Sequence, residues 1–207
     1  MFTLGLIIGL NIGRDMKSSI NKINYEQKQL NSKFPKNQIL KEDVSSLTQL
    51  TVTKEISTYW DSSTINVYEN EKKWLNKLKD SGIIAKPVSF DDKRRLITTQ
   101  YAGVPINKDN IPDDWRQQVD NIMNKLREYN VKHNDIKPGE LIVNEKGKIV
   151  LVDFGWAHNY NEEIPKDWPS GLGAEFRCNS MPPYDNKYDD KCSIIKSIIH
   201  LYADAKN

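Results

Sequence analysis

The amino-acid sequence predicts an α+β fold in which a small β-rich part precedes a mainly helical part. Three observations predict it. Leu47, Leu50, Val52 and Ile56 stand in Thr-rich, β-prone sequence across residues 38–57. Apolar residues then recur at helical spacing over 65–80 and again over 112–129. Two short apolar runs, Leu141–Val143 and Lys148–Val152, flank Asn144-Glu145-Lys146-Gly147, which reads as a hairpin turn.

Taken in order, the elements have local causes. Phe2–Gly13 (FTLGLIIGLNIG) is the most apolar run, but it is short of the roughly 20 residues a membrane span needs. It reads as a buried strand or docking segment. Its Gly5, Gly9 and Gly13 spacing keeps a membrane-associated end as the alternative. Residues 14–37 are polar and read as a linker or loose helix. Ile65–Asp80 is predicted as a helix from Val67, Glu71, Trp74, Leu75 and Leu78, with Gly82 beyond it as a C-cap would be. Strands are expected at Ala85–Phe90 and Arg95–Tyr101, turning at Asp91-Asp92-Lys93. Pro112–Tyr129 has Pro near its first turn and Trp115, Val119, Ile122, Met123 and Leu126 on one side. Residues 158–187 are rich in Pro, Asn and Gly and read as irregular, and Asp189–Ala203 reads as an amphipathic helix.

With 207 residues, 30 basic and 28 acidic side chains and a net charge of +2, the chain can bury a core without staples. Those values exclude a transmembrane bundle, a disulfide miniprotein and a polybasic tail, and the scattered lysines give no strong nucleic-acid signal. Cys178 and Cys192, without a Cys-x-x-Cys and with three histidines in all, read as reduced packing residues of an intracellular protein. Asn, Lys and Ile are abundant and Ala scarce, the bias of an A+T-rich coding sequence. The expected location is cytoplasmic, or the host cell cytoplasm if the source is viral.

The densest chemistry lies in VKHNDIKPGELIVNEKGKIVLVDFGWA. A hairpin there is flanked by two loops, each offering one acid, Asp135 before it and Asp153 after it. Because the hairpin folds back, the loops approach, and two close carboxylates need a cation or a shared proton between them. Lys137 adds a positive group. Two acids and an anion-holding lysine suit Mg²⁺-dependent phosphoryl transfer, since Mg²⁺ binds through one or two carboxylates plus phosphate oxygens.

His133–Glu140 (HNDIKPGE) and Asp153-Phe154-Gly155, a hairpin apart, resemble the H-R-D-x-K-x-x-N and D-F-G loops of the eukaryotic-type protein kinase-like superfamily. TVTKEI resembles the V-A-I-K strand, Glu71 resembles the glutamate of the αC helix, and ITTQYAGVP resembles the hinge, with Thr99 at the gatekeeper position. DDKCSI resembles the D-x-W-S start of the αF helix, where Asp190 would accept backbone N–H groups of the catalytic loop. The resemblance spans about residues 38–203 and implies a two-lobed protein kinase-like fold. Residues 1–37 are then an extension, 38–102 a β-rich N-lobe with hinge, and 103–207 a truncated, mainly helical C-lobe.

The resemblance also implies roles. Asp135 would orient the attacking hydroxyl and Lys137 would neutralise the transferring group. Lys54, oriented by Glu71, would hold the phosphates of ATP, while Gln100, Tyr101 and Ala102 would face adenine. Asp153 and Glu140 would hold Mg²⁺ or Mn²⁺, and His133 would pack the loop. Three departures stand out. Glu140 replaces the metal-binding Asn, which leaves open whether it ligates or faces solvent. Residues 38–53 contain no glycine, so no G-x-G-x-x-G precedes Lys54; either the phosphates lack a close backbone cover or a polar loop around Asp43–Ser46 substitutes. The chain has no A-P-E and one helix resembling αF, as in minimal kinases. The expected function is a minimal serine/threonine-protein kinase; the alternatives are a nucleotide- or partner-binding pseudokinase and a choline- or aminoglycoside-type kinase of a small-molecule alcohol. Ser170 and Ser180 are candidate phosphosites.

Overall fold

In the computed structural model the described residues are 50–169, 171–178 and 189–204. The apolar segment 1–13, the linker 14–37, the strand-prone residues 38–49, the Asp43–Ser46 cover and both Ser170 and Ser180 lie outside them. The described chain is α+β, with small antiparallel sheets and three α-helices, an arrangement compatible with a small two-lobed fold.

The first sheet has strand order β1-β3-β2, with β1 Thr51–Glu55, β2 Pro87–Asp91 and β3 Leu96–Gln100. Lys54 pairs with Ile97 and Val52 with Thr99. Pro87 opens an edge strand, where its missing N–H costs no ladder bond, and the register shifts between Pro87 and Ser89. The β2–β3 turn takes four residues, 92–95, rather than the three expected at Asp91-Asp92-Lys93. Asp91 accepts the Arg94 N–H at 2.9 Å, and Arg95 adopts φ 54.

Helix α1 is Val67–Leu78, two residues shorter at each end than the apolar spacing predicts. Its start is fixed by side chains: Asn66 Oδ1 accepts the Glu69 N–H at 3.1 Å, and Asp61 Oδ1 accepts the Val67 N–H at 3.0 Å. Arg95 in turn clamps Asp61 through both terminal nitrogens, at 2.9 and 2.8 Å. Lys79 is the C-cap, and Gly82 supplies a left-handed turn, φ 72, three residues further on. Helix α2, Trp115–Glu128, buries the five apolar residues the sequence placed on one side.

Strands β4 Val104–Pro105, β6 Leu141–Val143 and β7 Ile149–Leu151 form a second sheet, and β5 Val131–Lys132 pairs with β8 His158–Asn159. The β6–β7 turn is the expected one, with Gly147 at φ 70. Gly103 is required at its position: at φ +124, an added Cβ would stand 2.1 Å from Val143 O. Leu151 N–H donates to Ile83 O at 2.8 Å, tying the chain after α1 to β7. Helix α3 is Asp190–Asp204.

One apolar cluster runs through Trp74 and Leu78 of α1, Ile122 and Leu126 of α2, Phe154 and Ile194 of α3. Burying each such side chain is worth about 1.5–3 kcal/mol.

The cysteines correct the sequence expectation. Cys178 and Cys192 form a disulfide, with their Cα atoms 5.7 Å apart. The chain folds Cys178 back onto the first turn of α3: Asp189 N–H donates to Cys178 O at 3.0 Å, and Cys178 N–H to Ser193 Oγ at 3.2 Å. Sequence spacing alone could not reveal that return path, and the pairing removes the reduced-thiol premise for an intracellular location. Among the described residues, no helix is long and apolar enough to cross a membrane.

Candidate functional site

Side chains alternate along β1, so Thr53 and Lys54 leave it on opposite faces. Thr53 meets Thr98, Oγ1 to Oγ1, at 2.9 Å. Lys54 Nζ donates to Glu71 Oε2 at 2.9 Å, to Glu71 Oε1 at 3.2 Å and to Asp153 Oδ1 at 2.8 Å. Glu71 reaches this point because it lies on the buried stripe of α1. Its side chain is 4% exposed, whereas those of Lys54 and Asp153 keep 26% and 30%. One flank of the cluster is therefore open to a solute.

The loop carrying Asp153 is held by packing on one side and close approach on the other. Phe154 is fully buried and tilts against the His133 ring at 4.6 Å, while His133 Nε2 lies 2.9 Å from Val152 O. Asp153 adopts φ 66. A Cβ on Gly155 would come within 2.7 Å of Val67 Cγ1 and 3.5 Å of Asp153 Oδ1, so a residue without a side chain lets α1 approach the loop.

The second loop is braced from α3. Asp190 Oδ2 accepts the His133 N–H at 2.8 Å and Oδ1 the Asn134 N–H at 3.0 Å, the arrangement the resemblance implies. Lys137 Nζ bridges Asp135 Oδ2 at 2.9 Å and Glu140 Oε1 at 2.8 Å. Glu140 is buried on the short helical turn Pro138–Glu140, so it does not face solvent. Asp135 Oδ1 accepts the Gly173 N–H at 2.5 Å. Each acid the sequence placed in a flanking loop thus has its own lysine.

The electrostatics follow from burial set against pairing. Burial pulls the Lys54 ammonium down, but Asp153 and Glu71 more than offset this and hold its pKa above the ordinary lysine value. Burial pushes the Asp153 carboxyl up, and Lys54 outweighs it, so Asp153 stays below the usual range. Glu71 is the partner that yields: burial pushes it up to about 7 despite Lys54. Glu140 is likewise raised to about 7, by burial and then by the Asp153 charge, with Lys137 opposing. Asp190 is raised by burial even though two N–H groups favour its ionised form.

Gln100 lies elsewhere, on the strand that leads to Ala102. Gln100 pairs with Thr51, three residues along the ladder from Lys54, which is roughly 10 Å. Its N–H donates to Lys86 O at 2.8 Å, and the Tyr101 N–H donates to Leu50 O at 2.8 Å. Those two donors are spent inside the protein. Thr99 pairs with Val52 in the same ladder.

Several residues with no role in the site assigned from the sequence help to build it. Asn70, Trp74, Asn134 and His158 grip the chain after Asp153, and Gly173 reaches Asp135. Asp167 accepts from Ser63 Oγ at 2.9 Å and from Thr64 N–H at 3.1 Å, pinning residues 165–168 to the approach to α1. Their signals were faint. Asn70 and Asn134 each directly precede a singled-out residue, Glu71 and Asp135, and Asn134 stands where the resembled motif has Arg.

No protein-family model matches the chain. Over 85 residues, 41% of this chain and 7% of the other protein, it is 29% identical to Cyclin-dependent kinase 12 of Drosophila melanogaster. The chain thus spans only a small part of the length of the curated relative it matches. A lysine held between two acids, a second lysine-bridged acid pair one hairpin away and this partial likeness together support a kinase-like relationship.

Proposed function

We propose that this chain is an ATP- and Mg²⁺-dependent phosphotransferase that moves the γ-phosphoryl group of ATP to a hydroxyl, with a protein Ser or Thr as the acceptor. The observation that carries the reading is Lys54 held by Glu71 and Asp153 on a flank open to solvent. Phosphoryl transfer depends mostly on positioning and charge neutralisation, which is what Lys54, Lys137, Glu71, Asp135, Glu140 and Asp153 provide from β1, α1 and two braced loops.

Lys54 exchanges part of its bond to Asp153 for phosphate oxygens, with Glu71 holding the ammonium in place. Asp153 and Glu140 are hard oxygen donors on adjoining loops, a set that suits Mg²⁺ or Mn²⁺ shared with phosphate oxygens, and they would hold the ion. When bound, that ion offsets the charge of the phosphate chain. Asp135 accepts and orients the proton of the incoming hydroxyl through Oδ1, once Gly173 yields or shares that oxygen. Lys137 lies against Asp135 and neutralises the group in transit. The Gln100–Ala102 stretch is the proposed place for the base, through backbone groups other than the Gln100 and Tyr101 N–H donors, which are taken within the protein.

A second reading is a nucleotide- or partner-binding module without turnover. It is favoured by Asp135, both of whose oxygens are engaged, by Lys137 and by Gly173. The test compares ATP turnover with Mg²⁺ and Mn²⁺ in the wild type, Asp135→Ala and Asp153→Ala. Turnover in the wild type that falls in both variants supports transfer; equal signals in all three sink it. An ATP-dependent thermal shift lost in Asp153→Ala, with no turnover anywhere, selects the binding module. A generic protein substrate run beside a panel of amino-alcohols fixes the acceptor class.

A further inference from the structure

The chain that follows Asp153 is gripped from two sides. From α1, Asn70 Nδ2 donates to Gly155 O at 2.9 Å and to Ala157 O at 2.8 Å, and Trp74 Nε1 donates to Ala157 O at 2.8 Å. From the Asp135 loop, Asn134 Nδ2 donates to Trp156 O at 2.8 Å and to His158 Nδ1 at 2.7 Å. Carbonyls of three consecutive residues are therefore taken alternately by an asparagine beside Glu71 and an asparagine beside Asp135. Asn134 is fully buried and left-handed, φ 67, a conformation its short polar side chain tolerates better than most.

His158 closes this arrangement in one protonation state. Its Nε2 lies 3.0 Å from Glu162 O, which can only accept, so Nε2 carries the hydrogen. Nδ1 is then free of a proton and accepts from Asn134. A second proton would set two donors face to face. Asn134 Oδ1 is buried without a partner and could meet a protonated ring only if the amide turned and released Trp156 O. The charged groups around His158 are Lys132 on β5, whose charge opposes protonation, and Glu162, whose charge favours it. Lys73 of α1 and Glu163 line the same small cavity, and the Trp168 ring stands edge-on at 5.8 Å. Burial dominates and holds the imidazole below its ordinary value.

We propose that Asn70, Asn134 and His158 are positioning residues. They clasp residues 155–157 between α1 and the Asp135 loop, and the neutral His158 ring sets Asp135 in register with Asp153, so that protonating it uncouples the two. The kinetic consequence rests on the phosphotransfer reading; the clasp itself rests on geometry.

Two measurements on the full chain test it. In imidazole ¹⁵N NMR, His158 is expected as the Nε2–H tautomer and still neutral below the ordinary pKa of about 6.5; an Nδ1–H tautomer, or a ring already charged at that pH, overturns the clasp. The second follows ATP turnover from pH 5 to 8 in the wild type, His158→Asn and His158→Phe. Asn keeps an acceptor for Asn134 that does not titrate in this range, and Phe keeps only bulk. Glu71 and Glu140, both raised to about 7, give every variant some acid-side fall. The expected results are therefore a steeper acid-side fall of kcat in the wild type than in His158→Asn, and a kcat about tenfold lower in His158→Phe with KM for ATP changed less than about threefold. Equal kcat in the two variants, or an acid fall of the same steepness in His158→Asn as in the wild type, overturns the positioning role. If the wild type turns over no ATP at any pH, the phosphotransfer reading fails by itself. The clasp is then judged by the tautomer and by hydrogen exchange of amides 155–158, which must quicken in His158→Phe; unchanged exchange overturns it.

Discussion

Glu71 is a carboxylate on the buried stripe of an amphipathic helix, and this misplacement is the most informative single residue in the chain. A Glu among Val67, Trp74, Leu75 and Leu78 costs desolvation unless a cation meets it, and Lys54 does. Its folded-state pKa of about 7 stands above the ordinary 4.5. Between those values the folded protein keeps a proton that the unfolded chain has released. The stability Glu71 contributes is thus complete below about pH 4.5 and is lost as pH rises through about 7. The urea midpoint of the wild type is expected to fall more from pH 5 to 8 than that of Glu71→Gln, and matching slopes would contradict it. His158 works in the opposite direction below pH 6.5, which is why the comparison is between variants. Lys54→Met strands two carboxylates. The expected loss is about 1–3 kcal/mol by urea unfolding, less than the ~3–5 of a fully buried pair because the site is partly open. Asp135 and Asp153 were legible from residue type and the hairpin between them, and Lys54 and Glu71 only through the resemblance of their segments to a known family. Asn70, Asn134 and His158 were not, because asparagine and histidine are ordinary in helices and loops until the carbonyls they meet are placed.

Among the elements, those with strong periodicity were legible and their ends were not. Helix α1 begins at Val67 rather than Ile65 because Asn66 and Asp61 cap it, a decision made by two hydrogen bonds rather than by apolar spacing. Asn66→Ala is expected to cost about 1 kcal/mol in thermal or urea unfolding, the usual value of a lost N-cap. The start of α3 carries more. Asp190→Ala leaves the buried N–H groups of His133 and Asn134 without acceptors, at about 1–3 kcal/mol each, and loosens the loop that carries Asp135. Faster exchange at those two amides, together with a lowered urea midpoint, is the expected result. Strand β1 was expected within a longer β-prone region, yet its position against β3 was set by pairing: Lys54 opposite Ile97 is a register, and register depends on a partner strand that lies more than 40 residues away.

For the whole molecule, the disulfide is the largest departure from what the sequence suggested. It closes a 14-residue separation between the segment ending at Cys178 and helix α3, and a loop of that size predicts about 3 kcal/mol from the restricted unfolded chain. Thiol labelling under native, non-reducing conditions is expected to find neither cysteine free, and reduction is expected to lower the urea midpoint accordingly; full labelling without reductant would contradict the pairing. The sequence by itself determined the α+β class, the presence of helices within Ile65–Asp80 and Pro112–Tyr129, the hairpin at Asn144–Gly147 and the presence of two loop acids with a lysine nearby. These depend on side-chain periodicity and turn chemistry within a few residues of each other. Only the tertiary structure decided that Lys54 lies between Glu71 and Asp153, that Glu140 turns inward to Lys137, that Cys178 returns to Cys192, and that two asparagines hold the chain between the acids. Each of those contacts joins residues that hydrophobic burial and sheet pairing bring together, and no local pattern in the chain encodes the distance between them.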